Sequence, residues 1–89
     1  MKRLQIKIHG QVQGVFFRDS AKKEADELGL FGFARNEPDG TVYIEAEGDK
    51  EALGKFLEWC KKGTMSAKVE KVDFEFGDEI GDFNNFEIK

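Results

Sequence analysis

Residues 9 to 18 read His9-Gly10-Gln11-Val12-Gln13-Gly14-Val15-Phe16-Phe17-Arg18, a stretch that sets two glycines and an arginine where an anion can be held. Glycine takes positive φ without steric cost, so Gly10 and Gly14 allow consecutive N–H groups to point into one concavity, a nest that attracts negative charge. Arg18 falls where a helix is expected to begin, and it adds a planar, permanently charged fork of donors to the partial positive charge of a helix N-terminus. The chemistry suited to this stretch is the holding of a phosphoryl or carboxylate group. Neither Gly-Lys-Ser/Thr nor Gly-x-Gly-x-x-Gly is present in it, so a nucleotide cofactor is not indicated.

Other reactive side chains read as structural. His9 at the end of a strand reads as a surface residue or a local hydrogen-bond partner, and Cys60 on the apolar seam of a helix as core. Glu45 and Glu47 read as the solvated face of a strand rather than a hydrolytic carboxylate pair. The single cysteine excludes an internal disulfide, and no Cys/His cluster has zinc spacing, so a reducing cytoplasm is expected, with no metal and no cofactor.

The elements that would position the loop follow from periodicity. Leu4, Ile6 and Ile8 alternate with polar residues over about 3–9, a half-buried strand that leads into the loop. Phe17, Ala21, Ala25 and Leu28 recur at helical spacing, closed by Gly29. A strand over about 30–37 and another over about 41–47 flank Pro38-Asp39-Gly40 and form a hairpin, with Phe31, Phe33 and Arg35 on one face and Gly32, Ala34 and Asn36 on the other. Asp49 is positioned to cap a second helix carrying Leu53, Phe56, Leu57 and Cys60, which Gly63 stops. Val72, Phe74 and Phe76 mark a fourth strand, and Phe86-Glu87-Ile88 a short fifth at the edge.

The order βαββαβ, with a terminal β, predicts an α+β ferredoxin-like sandwich in which two helices pack on one face of an antiparallel sheet. In this topology the first two strands run parallel on either side of a third, so their C-terminal ends share one edge. They lie roughly 10 Å apart, two strand spacings, a gap that an arginine and a bound phosphate can bridge together. The loop ending at Arg18 and the strand ending at Asn36 are therefore expected to share a ligand.

The 89 residues are expected to form one domain, 1–89, without linker or repeat. A formal charge of −4 argues against broad nucleic-acid or acidic-membrane binding, and the alternating N-terminus contains no apolar run long enough for a signal peptide or membrane span.

Two separated signatures then resemble those of the acylphosphatases, small ferredoxin-like enzymes that hydrolyse the carboxyl–phosphate bond of acyl phosphates. One is Gly10-Gln11-Val12-Gln13-Gly14-Val15-Phe16-Phe17-Arg18; the other is Gly32-Phe33-Ala34-Arg35-Asn36, followed by Gly40-Thr41-Val42 and Gly48. The resemblance covers nearly the whole chain. It implies that Gln13, Gly14, Val15, Phe16, Phe17 and Arg18 cradle the substrate phosphate, that Arg18 is catalytic, and that Asn36 positions the attacking water. It further implies a monomer that acts on small acyl phosphates without a metal, with inorganic phosphate as product and inhibitor. Phe33 stands where the family often has Trp, and Gly63-Thr64 where a glycine-proline pair is common, a departure expected to loosen the loop after the second helix.

Two alternatives use the same fold. A phosphate-binding module without turnover would keep the loop. An RNA-binding module would use Phe31-Gly32-Phe33-Ala34 as an aromatic core, although Leu30 and Asn36 replace its flanking glycine and aromatic, and the chain is acidic.

Overall fold

The structure is a computed structural model and describes residues 1–89. Its elements are β1 (Lys2–Gln11), α1 (Phe17–Glu27), β2 (Phe31–Asn36), β3 (Val42–Gly48), α2 (Lys50–Lys62), β4 (Lys68–Asp78) and β5 (Phe86–Ile88). The sheet order is β4-β1-β3-β2-β5. The first four strands pair antiparallel, as expected of a ferredoxin-like sandwich, while β5 joins parallel to β2 and makes the sheet mixed.

Alternation in β1 sends Leu4, Ile6 and Ile8 into the core opposite Ala46, Ile44 and Val42 of β3. From the helix side Ala21, Ala25, Leu53, Phe56, Leu57 and Cys60 close over them. Two alanines on α1 permit a close approach to the sheet, and burying each large aliphatic side chain contributes roughly 1.5–3 kcal/mol. An aromatic seam ties the layers together. Trp59 lies 5.2 Å from Phe17 and stacks on Phe56, and Phe56 meets Phe86 of β5 edge-on. Burial pushes the Cys60 thiol far above its ordinary range, which leaves it an inert core residue.

Three expectations are corrected here. Asp49 occupies the N-cap of α2, but its side chain makes no capping hydrogen bond. Glu45 is only partly exposed and Glu47 is buried. The Arg3 guanidinium and the Tyr43 hydroxyl both donate to Glu45, at 2.7 Å each, and although burial opposes its charge these bonds hold its carboxyl below the usual range. Glu47 is 3% exposed, because the 79–85 segment folds over this face and the N–H groups of Ile80 and Gly81 donate to its two carboxylate oxygens. The same segment brings Phe83 against Phe33, which is also tilted against Tyr43 and sits beneath Arg35 and Lys89. With only 7% of its surface exposed, Phe33 has no free ring face on which a base could stack.

β4 is the outer strand on its side, and Phe74 and Phe76 remain partly exposed there even though they pair with the core residues Ile6 and Leu4. His9 pairs with Asp73 across the β1–β4 ladder at 2.9 Å, the local role expected of it. No helix is long and apolar enough to cross a membrane.

Close strand approach depends on Gly32, whose φ of 147° lies outside the range of L side chains, and a Cβ added at this position would overlap the backbone carbonyl of Glu45. Gly32→Ala is therefore expected to destabilise the protein by at least about 2 kcal/mol, read as a lower urea midpoint at unchanged slope. A midpoint equal to that of the parent would show that β2 does not need this approach.

Candidate active site

The loop that follows β1 is shaped by its backbone. The β1–β4 register shifts between His9 and Gly10, which bends the strand end, and Val12 is buried as an anchor. Gly14 has φ 75°, and Phe16 is left-handed with φ 62° and ψ 22°. α1 then begins with Phe16 as its N-cap, a residue with no side-chain acceptor for the first-turn N–H groups. Those donors are left to whatever binds there, at the positive end of the helix.

Arg18 stands in the first turn of α1. Its Nη1 donates to the backbone carbonyl of Lys89 at 2.7 Å, and the N–H of Lys89 in turn donates to Ala34 of β2. One of the guanidinium donors is thus fixed by the backbone just beyond β5, which orients the remaining fork.

Asn36 is the last residue of β2, opposite Val42. Its Oδ1 is buried and has no hydrogen-bond partner. An orphaned acceptor of this kind costs about 1–3 kcal/mol unless a ligand or water donates to it. The turn it precedes is secured by other means, since Asp39 Oδ1 accepts from the Thr41 N–H and hydroxyl and Asp39 Oδ2 pairs with Lys7 at 3.0 Å. The Thr41 bonds and Lys7 hold the Asp39 carboxyl far below its ordinary range.

Val12, Gly14, Phe16, Phe17, Arg18, Asp19 and Asn36 line one hollow of about 170 Å³. Of the residues expected to form the site, Gly14, Phe16, Phe17, Arg18 and Asn36 meet there. Gln13 and Val15 do not line the hollow and instead brace the loop. Gln13 Nε2 donates to the carbonyls of Glu37 and Thr41, at 2.8 and 3.0 Å, so its amide straddles the β2–β3 turn and fixes the loop to the hairpin that carries Asn36. The Val15 carbonyl accepts from the Thr64 hydroxyl at 3.0 Å. Thr64 therefore ties the segment after α2 to the loop, where the missing proline was expected to loosen it. The sequence does not single out Asp19, Thr64 or Lys89. Asp19 reads only as a first-turn acid, and the other two act through contacts with residues remote in sequence. No three His, Cys, Asp or Glu side chains cluster as a potential ligand set for a metal.

Comparison with known proteins identifies the family. The family model described as Acylphosphatase matches residues 4–88. An acylphosphatase of Thermus thermophilus is 51% identical over 81 residues, covering 91% of this chain and 92% of the relative. One from Anaeromyxobacter dehalogenans is 45% identical over 87 residues, covering 98% and 94%. The crystal structure of acylphosphatase from Bacillus subtilis superposes with a TM-score of 0.96 at 36% identity, covering 100% of this chain and 99% of that one. Matched over nearly its whole length by this family model and by these relatives, the chain belongs to the acylphosphatase family.

Proposed function

We propose that the protein hydrolyses acyl phosphates to a carboxylate and inorganic phosphate, with the phosphoryl group in the hollow beneath residues 13–18. The observation that carries this reading is that Asn36, whose Oδ1 has no protein partner, lines the same hollow as Arg18 and the open end of α1. Asn36 lines that hollow, and its neutral amide is a group that can both accept from and donate to a water, which then presents a lone pair to phosphorus.

In this mechanism the Asn36-bound water attacks in line. Its oxygen forms the new bond to phosphorus, the phosphorus–oxygen bond to the acyl group breaks, and the carboxylate leaves with the electron pair. A carboxylate is a good leaving group and needs no strong general acid. The loose transition state does not require a deprotonated nucleophile, and the water's proton passes to a phosphoryl oxygen. Charge on the equatorial oxygens is met by the first-turn N–H groups and the Arg18 guanidinium, so positioning and charge stabilisation supply the rate. Every group in the scheme comes from one chain, and it operates as a monomer without a metal.

The direct test is hydrolysis of benzoyl phosphate in the presence of EDTA. Turnover that persists, with competitive inhibition by inorganic phosphate, is expected. Phosphate binding without turnover would make the protein a binding module, and turnover restored only by magnesium would replace the mechanism.

Two substitutions separate the roles. Arg18→Lys keeps the charge but loses the planar fork, and kcat/KM is expected to fall about a hundredfold. A near-normal value would mean that Arg18 supplies only a diffuse positive field. Asn36→Ala should lower kcat by the equivalent of about 2–4 kcal/mol while leaving the inhibition constant of inorganic phosphate nearly unchanged. If instead kcat is kept and the melting temperature drops, Asn36 serves the hairpin turn.

A further inference from the structure

Phe16 is the one non-glycine residue of the chain with positive φ. A bulky side chain in the left-handed region is strained, and the turn into α1 requires the backbone geometry but not this side chain, since Gly14 takes positive φ two residues earlier with glycine. Core packing does not explain it either. The ring is 73% exposed, whereas its neighbour Phe17 is 2% exposed. The strain and the exposed apolar surface are both located at the wall of the hollow that holds Arg18 and Asn36.

Resting on the acyl-phosphate reading above, we propose that the Phe16 ring is the platform for the acyl portion of the substrate and makes the enzyme selective for acyl phosphates with aromatic or flat apolar acyl groups. In-line displacement fixes the direction. On that reading the nucleophile is held beside Asn36 at the inner wall of the hollow, so the leaving carboxylate lies on the side of phosphorus away from Asn36. An exposed aromatic at the rim is placed to meet whatever the carboxylate carries. The backbone that carries the ring is held in place, because the Thr64 hydroxyl donates to the carbonyl of Val15 and the Ser20 N–H donates to the carbonyl of Phe16 itself.

The test is the ratio of kcat/KM for benzoyl phosphate to that for acetyl phosphate, measured for the parent and for Phe16→Gly, Phe16→Asn and Phe16→Tyr. Gly and Asn both accept the left-handed backbone, so the loop survives while the ring is lost. The ratio is expected to fall about three- to tenfold in the Gly and Asn variants, the range of a lost aromatic contact, and to be kept in the Tyr variant. A ratio unchanged in Gly and Asn, or reduced equally in Tyr, overturns the role of Phe16 and leaves the hydrolytic reading intact. A parent that hydrolyses neither substrate sinks both.

Discussion

The site depends on a single register. Val42 on the central strand β3 is opposed by Ile8 of β1 on one side and Asn36 of β2 on the other. That pairing sets the ends of two parallel strands at one height, so the loop leaving β1 and the asparagine ending β2 face the same hollow. A one-residue slip on the β2 side would turn Asn36 to the opposite face of the sheet. The register is in turn enforced by burial, because Ala34 of β2 belongs to the core opposite Ile44 and such a slip would turn it out. Gly32 extends the constraint to distance, by letting β2 lie against the β3 backbone at Glu45.

On a chain of formal charge −4 the proposed anion site has to rest on local fields. At physiological salt, exposed charges more than about 8 Å away are largely screened, so the net charge matters less than the groups around the hollow. Those groups are the uncapped start of α1 and Arg18, with Asp19 as the one acid in the lining. Acids on neighbouring elements are already engaged, Asp39 by Lys7 and Thr41 and Asp73 by His9 and Lys71. These pairings offset two of the negative charges on neighbouring elements.

Legibility in the sequence follows local encoding. The glycines, the arginine at the helix start, the Pro38-Asp39-Gly40 turn and the alternation of β1 each depend on neighbours a few residues away, and the elements appear where those signals place them. The misreadings of Glu45, Glu47 and Thr64 share one cause, contact between distant segments. Alternation assigns Glu45 and Glu47 to a solvated face because nothing near them indicates that Arg3 and the 79–85 segment cover that face. Thr64 gives no local sign that its hydroxyl reaches Val15, and Lys89 none that its carbonyl orients Arg18. Gln13 belongs to the loop as expected, but the work of its side chain lies in the hairpin across the gap.

The bond from Arg18 to Lys89 also bears on how the protein acquires its site in time. Its two ends are separated by 71 positions, and Lys89 follows directly on the parallel β2–β5 pairing. Contacts of such span form late, after the loop-closure entropy of the intervening chain has been overcome, and parallel pairing is slow for the same reason. The helix start and the glycine loop are local and need not wait. The fork that would grip the substrate thus takes up its final direction only when the last strand docks, and recovery of ligand binding during refolding marks completion of the sheet rather than collapse of the core.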